Sequence, residues 1–379
     1  MKKLLLIITL MLTSYIVDAQ IINLVKDDSY AVSNNWSEIF DNFKKLTVFD
    51  DGTAMISHAN ENRYSLFDKN GKWLKDIKIY FEDGKKKPFN LQPVFGKINN
   101  LYFTKNNSQG KIYFFNDNGL IINEITVDCS IHDMITLNEK NIAIYGGVSW
   151  KTQWRDFIAI LDVETGKYKI IFDCFEDITG KKSDYSIYAK AHLNKKPGVV
   201  KVADNLIVAT PMDGVMKIYD FDGNKISERK FDWKQKTLSV EEQKKMQSEA
   251  IKKYKKEFPI WQSSPDPDKM AEIQQDFVKR LEKGMDYITE PLSLSWFTMA
   301  INGAGENILY FEDAEETGQN KFHKYSMEQG RTLSENSFQC AEFNLEITKN
   351  RFVIKNGYIF GVQELKDSKG ELRLVRFKL

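Results

Sequence analysis

The stretch YSLFDKNG, residues 64–71, sets the fold of this chain because its pattern recurs along the sequence. An apolar strand ends in an aromatic residue, a short polar turn closes on glycine, and a second strand follows. Copies occupy 112–119, 158–166 and 216–223, and a looser copy occupies 322–330. Asn-Gly, Asp-Gly and Thr-Gly between apolar runs are typical of hairpin turns, since glycine adopts positive φ without a steric penalty. Each copy therefore predicts a two-stranded hairpin.

A second hairpin with its own turn precedes each copy. In the first unit, the apolar runs 46–49 and 54–56 flank the turn Asp51-Gly52, and a sixth unit opens with a similar hairpin around Asn356-Gly357. Two hairpins make four strands. Six such units predict an all-β fold, the six-bladed β-propeller.

The sixth unit stops after its third strand, 372–379. We expect the segment 21–25 to supply the missing outer strand and close the ring, which would leave no open blade. The alternative is a β-sandwich or two stacked β domains. It is less favoured because sandwiches seldom repeat one hairpin chemistry six times.

These turns give the chain a resemblance to six-bladed β-propellers of the NHL/TolB-like kind, especially the secreted ones of Bacteroidota. The resemblance rests on Phe-Asp-x-x-Gly at 67–71, Phe-Asn-x-x-Gly at 115–119 and Tyr-Asp-x-x-Gly at 219–223. It covers nearly the whole chain, although the copy at 325–330 departs from the pattern. It implies the fold but no activity, because such propellers include binding modules as well as enzymes.

The first nineteen residues predict a secretory signal peptide. Lys2 and Lys3 precede the apolar run 4–12, and Val17 and Ala19 suit cleavage before Gln20. The run is shorter than the roughly 20 apolar residues that span a bilayer, which disfavours a retained anchor. No cysteine follows it, so a lipoprotein is not expected. We expect an exported protein, periplasmic or extracellular, with the propeller over 20–379 and no integral membrane segment after cleavage.

Composition narrows the classes of partner. The chain has 54 Lys+Arg and 53 Asp+Glu, and removal of residues 1–19 leaves 52 of each. That balance lacks the overall basic field of a dedicated nucleic-acid binder. Cys129 and Cys340 each lie ten residues after a turn glycine, and Cys174 lies eight after another. We expect three unpaired, apolar cysteines in different blades, too far apart for a disulfide.

Loop lengths predict the face that meets a ligand. In a four-stranded blade, the 1–2 and 3–4 turns lie on one face, and the 2–3 turns and blade-to-blade connections lie on the other. The second set holds every long segment, and we call that side the long-loop face. Its segments are roughly 80–93, 147–156, 174–198, 232–296 and 312–321. Because function commonly lies on variable loops held by a rigid scaffold, we expect the ligand there.

The insertion 234–292 breaks the β pattern and predicts a helical hairpin between blades four and five. Ser239 with Glu242 forms a capping box, Asp266-Pro267 provides a cap before a proline, and Gly284 is the expected stop. We expect this hairpin to pack on the propeller as a cap. A partner-binding or gating lid is the alternative.

Aromatic residues in the long-loop segments are the candidate ligand contacts. Tryptophan and tyrosine can stack on sugar rings or anchor a peptide, although the same residues could instead pack the cap onto the propeller. The candidates, with one histidine, are Trp150, Trp154, Tyr185, Tyr188, His192, Trp233, Trp261 and Trp296.

Catalytic signatures are missing from the sequence. It contains no Gly-x-Ser-x-Gly elbow, P-loop or His-Glu-x-x-His, so no catalytic residue and no cofactor are predicted. A metal site built from His132 and His192 with Asp133 or Asp184 is a less favoured alternative to no metal. The sequence favours non-catalytic binding of a peptide, glycan or protein. The alternatives are a propeller hydrolase or lyase acting on an envelope or extracellular polymer, and an envelope assembly component that docks through the helices.

Overall fold

The computed structural model of the chain describes fifteen segments. They are residues 18–31, 39–40, 43–58, 63–82, 91–106, 110–150, 153–173, 197–210, 214–230, 235–257, 267–295, 299–303, 307–312, 319–368 and 370–379. Six antiparallel sheets follow one another through these segments. They form the blades of a six-bladed β-propeller, as the repeated hairpins predict.

In blades one to four, the four strands are consecutive in the chain and pair in sequence order, so each of these blades is a meander. Blade one contains β2 (Phe43–Val48), β3 (Ala54–His58), β4 (Arg63–Phe67) and β5 (Trp73–Lys78). Blade two contains β6 (Gly96–Ile98), β7 (Leu101–Asn106), β8 (Lys111–Phe115) and β9 (Ile121–Thr126). Blade three contains β10 (Ser130–Thr136), β11 (Asn141–Trp150), β12 (Gln153–Asp162) and β13 (Tyr168–Asp173).

The later blades follow the same order. Blade four contains β14 (Gly198–Val202), β15 (Asn205–Thr210), β16 (Val215–Tyr219) and β17 (Lys225–Lys230). Blade five contains β20 (Met299–Gly303), β21 (Ile308–Glu312), β22 (Lys321–Ser326) and β23 (Arg331–Gln339). In blade six, β24 (Phe343–Asn344) and β25 (Phe352–Lys355) share one edge of β26 (Tyr358–Leu365), and β27 (Leu372–Lys378) pairs with the other.

Six apolar clusters hold the ring together, and each is shared by two neighbouring blades. Met55 of blade one packs with Phe115 of blade two, for example, and the same alternation continues around the ring. The last cluster joins Ile56 of blade one to Phe360 and Val362 of blade six. The core therefore lies between the blades, because each strand alternates its side chains between two neighbours.

The N-terminal strand corrects the predicted closure. β1 (Asp18–Asn23) pairs in parallel with β23 and adds a fifth strand to blade five. The expectation that segment 21–25 completes blade six is therefore wrong for residues 21–23, which pair with blade five. A single β-bridge joins the next part of the chain, at Lys26, to Phe377 of β27 in blade six. At nine residues, β23 offers a longer free edge than the six-residue outer strands β5 and β9, which gives β1 its partner. Asp18 and Ala19, the end of the predicted signal peptide, are the first residues of β1.

Segment 26–31 contacts both blade six and blade one. The Asp27 amide donates to the carbonyl of Arg376 at 2.7 Å, and the Ala31 amide donates to the carbonyl of Asn70 at 2.8 Å. A Cβ on Gly71, whose φ is +75°, would lie 2.7 Å from the Tyr30 ring. In blade two, a Cβ on the equivalent Gly119 would lie 2.1 Å from the carbonyl oxygen of Lys78 in the preceding blade. Segment 26–31 thus lies where an outer strand of blade six would contact blade one.

Two helices lie between blade four and blade five in the chain order. They are α1 (Val240–Glu257) and α2 (Pro267–Gly284), and a short ribbon of β18 (Gln235–Leu238) and β19 (Leu292–Ser295) flanks them. A single 3₁₀ turn, Met285–Tyr287, follows α2. The expected capping box is present, since the Glu242 amide donates to Ser239 Oγ at 3.1 Å and the Ser239 amide donates to Glu242 Oε2 at 2.8 Å.

Apolar packing joins the two helices through Ile251, Val278 and Leu281. The buried Gln243 and Gln247 donate to the carbonyls of Glu290 and Leu281, which ties the hairpin to its own base. The packing of this hairpin as a cap stays a prediction. No helix within the described segments is long and apolar enough to cross a membrane.

Candidate functional site

The inner strands of the propeller surround a cavity of about 730 Å³. Its walls come from β2, β6, β10, β14 and β25, and its volume lies within the range of small-ligand pockets. Each inner strand starts at a connection between blades and ends at a 1–2 turn. The starts of the inner strands therefore mark the long-loop end of the axis, and the turns mark the opposite end.

The short-turn end is lined by ion pairs in which three lysines contact two aspartates. Asp50 lies 2.5 Å from Lys355 Nζ and 3.5 Å from Lys201 Nζ, and Asp51 lies 2.7 Å from Lys97 Nζ. Burial raises the pKa of Asp50, but the ammonium groups of Lys355 and Lys201 outweigh it and hold that pKa below its ordinary value. Each lysine at this end therefore has a carboxylate partner.

The long-loop end has a different charge balance. Asp133 of β10 lies 3.7 Å from Lys45 Nζ of β2 and 3.3 Å from Lys349 Nζ, which comes from the segment before β25. Lys105 of β7 donates to the carbonyl of Ile131. These four side chains, Lys45, Lys105, Asp133 and Lys349, come from blades one, two, three and six, and we call them the axial lysine cluster.

Burial changes the protonation behaviour of this cluster. Desolvation lowers the pKa of Lys45, and it lowers the pKa of Lys105 to about 8 despite the attraction of Asp133. Burial raises the pKa of Asp133, but Lys45 and Lys349 outweigh it and hold that pKa low. Three ammonium groups thus share one carboxylate. Such a concentration of perturbed groups is typical of functional sites.

Phe95 joins the cluster to the axial cavity. Its ring lines the cavity, and its centroid lies 4.5 Å from Lys45 Nζ and 5.5 Å from Lys105 Nζ. A cation above an aromatic face is held by the ring quadrupole. The two lysines are therefore held against a wall residue of the cavity at the long-loop end of the axis, which we call the axial mouth, while the other lining residues lie toward the 1–2 turns.

β-Bulges position the neighbouring polar residues. The ladder between β2 and β3 skips Lys44, and the ladder between β10 and β11 skips His132. A bulge redirects the side chains beside it and commonly borders a functional site. His132 Nε2 lies 3.2 Å from Asp156 Oδ1, and the Tyr145 hydroxyl donates to Asp156 Oδ2 at 3.0 Å. This row of polar groups comes from the blade that also provides Asp133.

A serine, a histidine and an aspartate do meet in blade one, but not as a catalytic triad. His58 Nε2 lies 2.9 Å from Ser65 Oγ, which donates to Asp76 Oδ1 at 2.7 Å. A nucleophilic triad needs the histidine between the other two groups, whereas here the serine is in the middle. Ser65 is also fully buried. The network joins β3, β4 and β5 and has a structural role.

The predicted site residues are only partly described. The segment 147–156, expected to be a loop, is a continuation of β11 and β12. In the β11–β12 ladder, Trp150 pairs with Gln153 and Trp154 with Ser149. Position 154 shares its face with Asp156 and Tyr145. The other candidates lie outside the described residues: Tyr185, Tyr188, His192, Trp233, Trp261 and Trp296.

The described segments contain no group of three His, Cys, Asp or Glu side chains that could hold a metal ion. His192 and Asp184, from the weaker metal hypothesis, fall outside those segments. Cys129 and Cys340 are buried and unpaired, as expected, and Cys174 is not described. Burial raises the pKa of Cys129 to about 11, and the charge of Asp128 adds to the effect. This thiol is consequently unreactive.

The sequence analysis missed the axial lysine cluster. Lys105 lies in the strand LYFTKN, where it is buried between Thr104 and Asn106. A lysine at an inward position of a predicted strand was the available signal. The convergence of four blades on one axis could not be derived from spacing alone.

Comparison with known proteins supports the fold. No model of a known protein family matches the sequence, and no curated protein matches it. A member of the DUF4221 family from Bacteroides vulgatus is similar in structure, with 12% identity over 94% of this chain and 97% of that one and a TM-score of 0.53. At this identity the likeness bears on the fold alone. The narrower resemblance to NHL/TolB-like propellers is not confirmed.

Two further structures match over most of their length. One, from Bacteroides fragilis, is provisionally described as exported, with 12% identity over 96% of this chain and 99% of that one and a TM-score of 0.46. The other is virginiamycin B lyase from Staphylococcus aureus, with 12% identity over 94% and 98% and a TM-score of 0.40.

Proposed function

We propose that this protein is an exported, non-catalytic binding propeller that receives its partner at the long-loop end of the axis. The observation that carries the proposal is the axial lysine cluster, in which side chains from four blades converge at the long-loop end of the axis. The blades hold their strands rigidly, so a site built from several strand ends is preorganised for binding. The partner is a peptide, a glycan or a protein.

The charge distribution supports a local site over a general polyanion surface. The chain without residues 1–19 has 52 basic and 52 acidic residues, so it has no overall field to attract nucleic acid. Excess positive charge occurs at the mouth, whereas the short-turn end pairs each lysine with an aspartate. Nucleic acid is therefore not among the proposed partners.

The helical hairpin is the competing docking surface. Docking through it would need an apolar stripe left exposed after the helices pack. Among the helical side chains that are described, the large apolar ones are buried or half-buried, including Ile251, Phe277 and Leu281. This observation favours the axial mouth over the helices.

A second candidate function is a lyase, and one specific observation favours it. The Lys105 amine has a pKa of about 8, so about one tenth is unprotonated at pH 7 and could accept a proton from a substrate. The test is to incubate the protein with acidic polysaccharides and to follow the unsaturated product by absorbance. Product formation that is lost in Lys105→Met would replace the binding proposal with this one.

The binding proposal is tested on the chain from Gln20 to Leu379. The protein is screened against arrays of envelope glycans, peptides and duplex DNA, beside Lys349→Gln, a variant with 234–292 replaced by a short linker, and the control Lys225→Gln. Lys225 is half-exposed on the outer strand of blade four, where it pairs with Glu228. We expect binding that Lys349→Gln weakens and the other two variants keep. Binding that is lost with the helices and unaffected by Lys349→Gln would refute the proposed location.

A further inference from the structure

We infer that the axial lysine cluster recognises a sugar carboxylate, so that the partner of this propeller is an acidic oligosaccharide. This inference rests on the proposed function and names its ligand class. Three ammonium groups, from Lys45, Lys105 and Lys349, lie together at the long-loop end of the axis, where the carboxylate of the cluster is Asp133. A carboxylate entering there would meet a preformed set of donors.

Lys105 is the group with a free capacity for an anion. Its contacts are the carbonyl oxygen of Ile131 and the face of Phe95, neither of which carries a full negative charge. Both oxygens of Asp133 face the other two lysines. An ammonium group has three donors, and a charged acceptor gives the stronger hydrogen bond. An incoming carboxylate would therefore be bound mainly by Lys105, with Lys45 and Lys349 on either side.

Burial makes the incomplete compensation of this charge energetically significant. Lys105 is only 5% exposed, and Lys45 and Lys44 are also desolvated enough to lower their pKa values. A buried cation that shares one carboxylate with other cations is only partly compensated, and the remaining cost is relieved when an anion binds. The free protein thus carries an unfavourable electrostatic free energy at the cluster, and binding of a carboxylate reduces it.

Neighbouring groups suit the hydroxyls of a sugar. Asp156 is an acceptor, and the Tyr145 hydroxyl and the His132 ring can donate or accept. Asp156 lies 3.2 Å from His132 Nε2 and 3.0 Å from the Tyr145 hydroxyl, and His132 precedes Asp133 in β10. Sugar hydroxyls both donate and accept hydrogen bonds. This mixture of donors and acceptors therefore fits a sugar acid better than a ligand that has carboxylates and no hydroxyls.

The small size of the charged cluster favours a ligand that presents one carboxylate to it over a densely charged polyanion. The cluster is confined to the axis, and the ion pairs elsewhere around the cavity are satisfied. Binding by a few charges gives a shallow dependence on salt, whereas a polyanion that contacts many cations gives a steep one. Salt dependence therefore separates the two ligand classes.

The experiment is calorimetric titration of the protein from Gln20 to Leu379 with three probes. These are trigalacturonate, neutral galactotriose of matched length, and an acetylated tri-glutamate peptide. We expect trigalacturonate to bind, galactotriose to bind at least about tenfold more weakly, and the peptide to bind more weakly than the sugar acid. Because a group with a pKa of about 8 goes from mostly protonated to mostly neutral over this range, affinity should fall about tenfold between pH 7 and pH 9.

Variants assign the effect to the cluster. Lys105→Met keeps the length of the side chain and removes its charge, and we expect a loss of about tenfold or more in affinity for trigalacturonate together with a flatter pH profile. Lys349→Gln alters a more exposed member and keeps the test valid if Lys105→Met does not fold. Lys75→Met, on the rim of blade one beside Asp117, is the control and should bind as the parent does.

The outcomes are distinguishable. Equal binding of galactotriose and trigalacturonate, or tighter binding of the glutamate peptide, overturns the sugar-acid assignment and leaves the proposed binding function intact. Trigalacturonate binding that neither Lys105→Met nor Lys349→Gln weakens overturns the assignment of the site. If the arrays and all three probes give no binding, the proposed function fails as well.

Discussion

The contact between segment 26–31 and the last strand should be a measurable part of the stability of the ring. Arg376 of β27 donates to Asp27 Oδ2 from Nη2 at 2.7 Å and from Nε at 3.0 Å. Its guanidinium lies between the rings of Tyr30 and Tyr358, at 4.5 and 4.6 Å. This arrangement joins residues 349 positions apart. We therefore choose Asp27→Asn as the perturbation, because it removes the charge and keeps the size.

The magnitude follows from the pKa of Asp27. The Ser29 hydroxyl and amide and the Arg376 guanidinium lower this pKa from 3.8 to about 2. A difference of nearly two pKa units corresponds to about 2.5 kcal/mol, and solvent screening at the rim reduces the expectation to about 1–2 kcal/mol. Because the folded pKa is depressed, this stabilisation is complete above about pH 4 and is lost as pH falls through about 2. Roughly half should remain at pH 3.

The assay is urea unfolding of the parent and of Asp27→Asn at pH 7 and at pH 3. The difference between the two proteins should be about 1–2 kcal/mol at pH 7 and about half of that at pH 3. Asp28→Asn is the matched control, since Asp28 is 89% exposed and pairs only with the neighbouring Lys26, and it should change stability by less than about 0.5 kcal/mol. Equal effects of the two substitutions, or a difference that does not change with pH, would refute the reasoning.

Three other predictions concern the scaffold. Gly119→Ala should destabilise the fold by about 2–4 kcal/mol, because φ is +90° and the new Cβ would lie 2.1 Å from the Lys78 carbonyl oxygen. Gly357 also has positive φ but has open space around it, so Gly357→Ala should cost only about 1 kcal/mol. Equal losses of stability in thermal unfolding would contradict the packing argument. Ser65→Ala should lower the free energy of unfolding in urea by about 1–3 kcal/mol, since it removes the hydroxyl that joins His58 to Asp76. The control Ser293→Ala, at an exposed serine, should be nearly neutral. A neutral Ser65→Ala would show that the network does not contribute to stability. Cys129 should react with iodoacetamide at pH 8 far more slowly in the native protein than in urea, because a pKa of about 11 leaves roughly one thiolate in a thousand. Peptide mass spectrometry measures the rate of alkylation. Equal rates in the native and the unfolded protein would contradict the burial of the thiol.

Local turn chemistry predicted most of the fold. The turn glycines at 71, 119, 166, 223 and 330 all have positive φ, so each hairpin could be read from a few neighbouring residues. The capping box at Ser239 was predictable for the same reason. These features depend on the chain within a few positions, and sequence order then places the blades around the ring.

Features that depend on distant partners were predicted less well. The segment 21–25 has the apolar pattern of a strand, but nothing within it specifies whether β23 or β27 is its neighbour. The segment 147–156 was expected to be a loop, yet β11 continues to Trp150 because β12 pairs with it throughout. The lysine cluster depends on burial and on the meeting of four blades. A lysine in a sequence gives no indication of its eventual desolvation.

The most direct test of the account is an NMR titration of the protein with its lysines ¹³C-methylated and trigalacturonate added. The account predicts that the resonances of Lys45, Lys105 and Lys349 shift together and saturate, and that Lys105 titrates near pH 8 in the free protein. The resonances of Lys97, Lys201 and Lys355, which line the cavity at the short-turn end of the axis, should stay in place. Shifts confined to those three lysines or to the helices would contradict the central claim that the axial mouth on the long-loop face is the binding site.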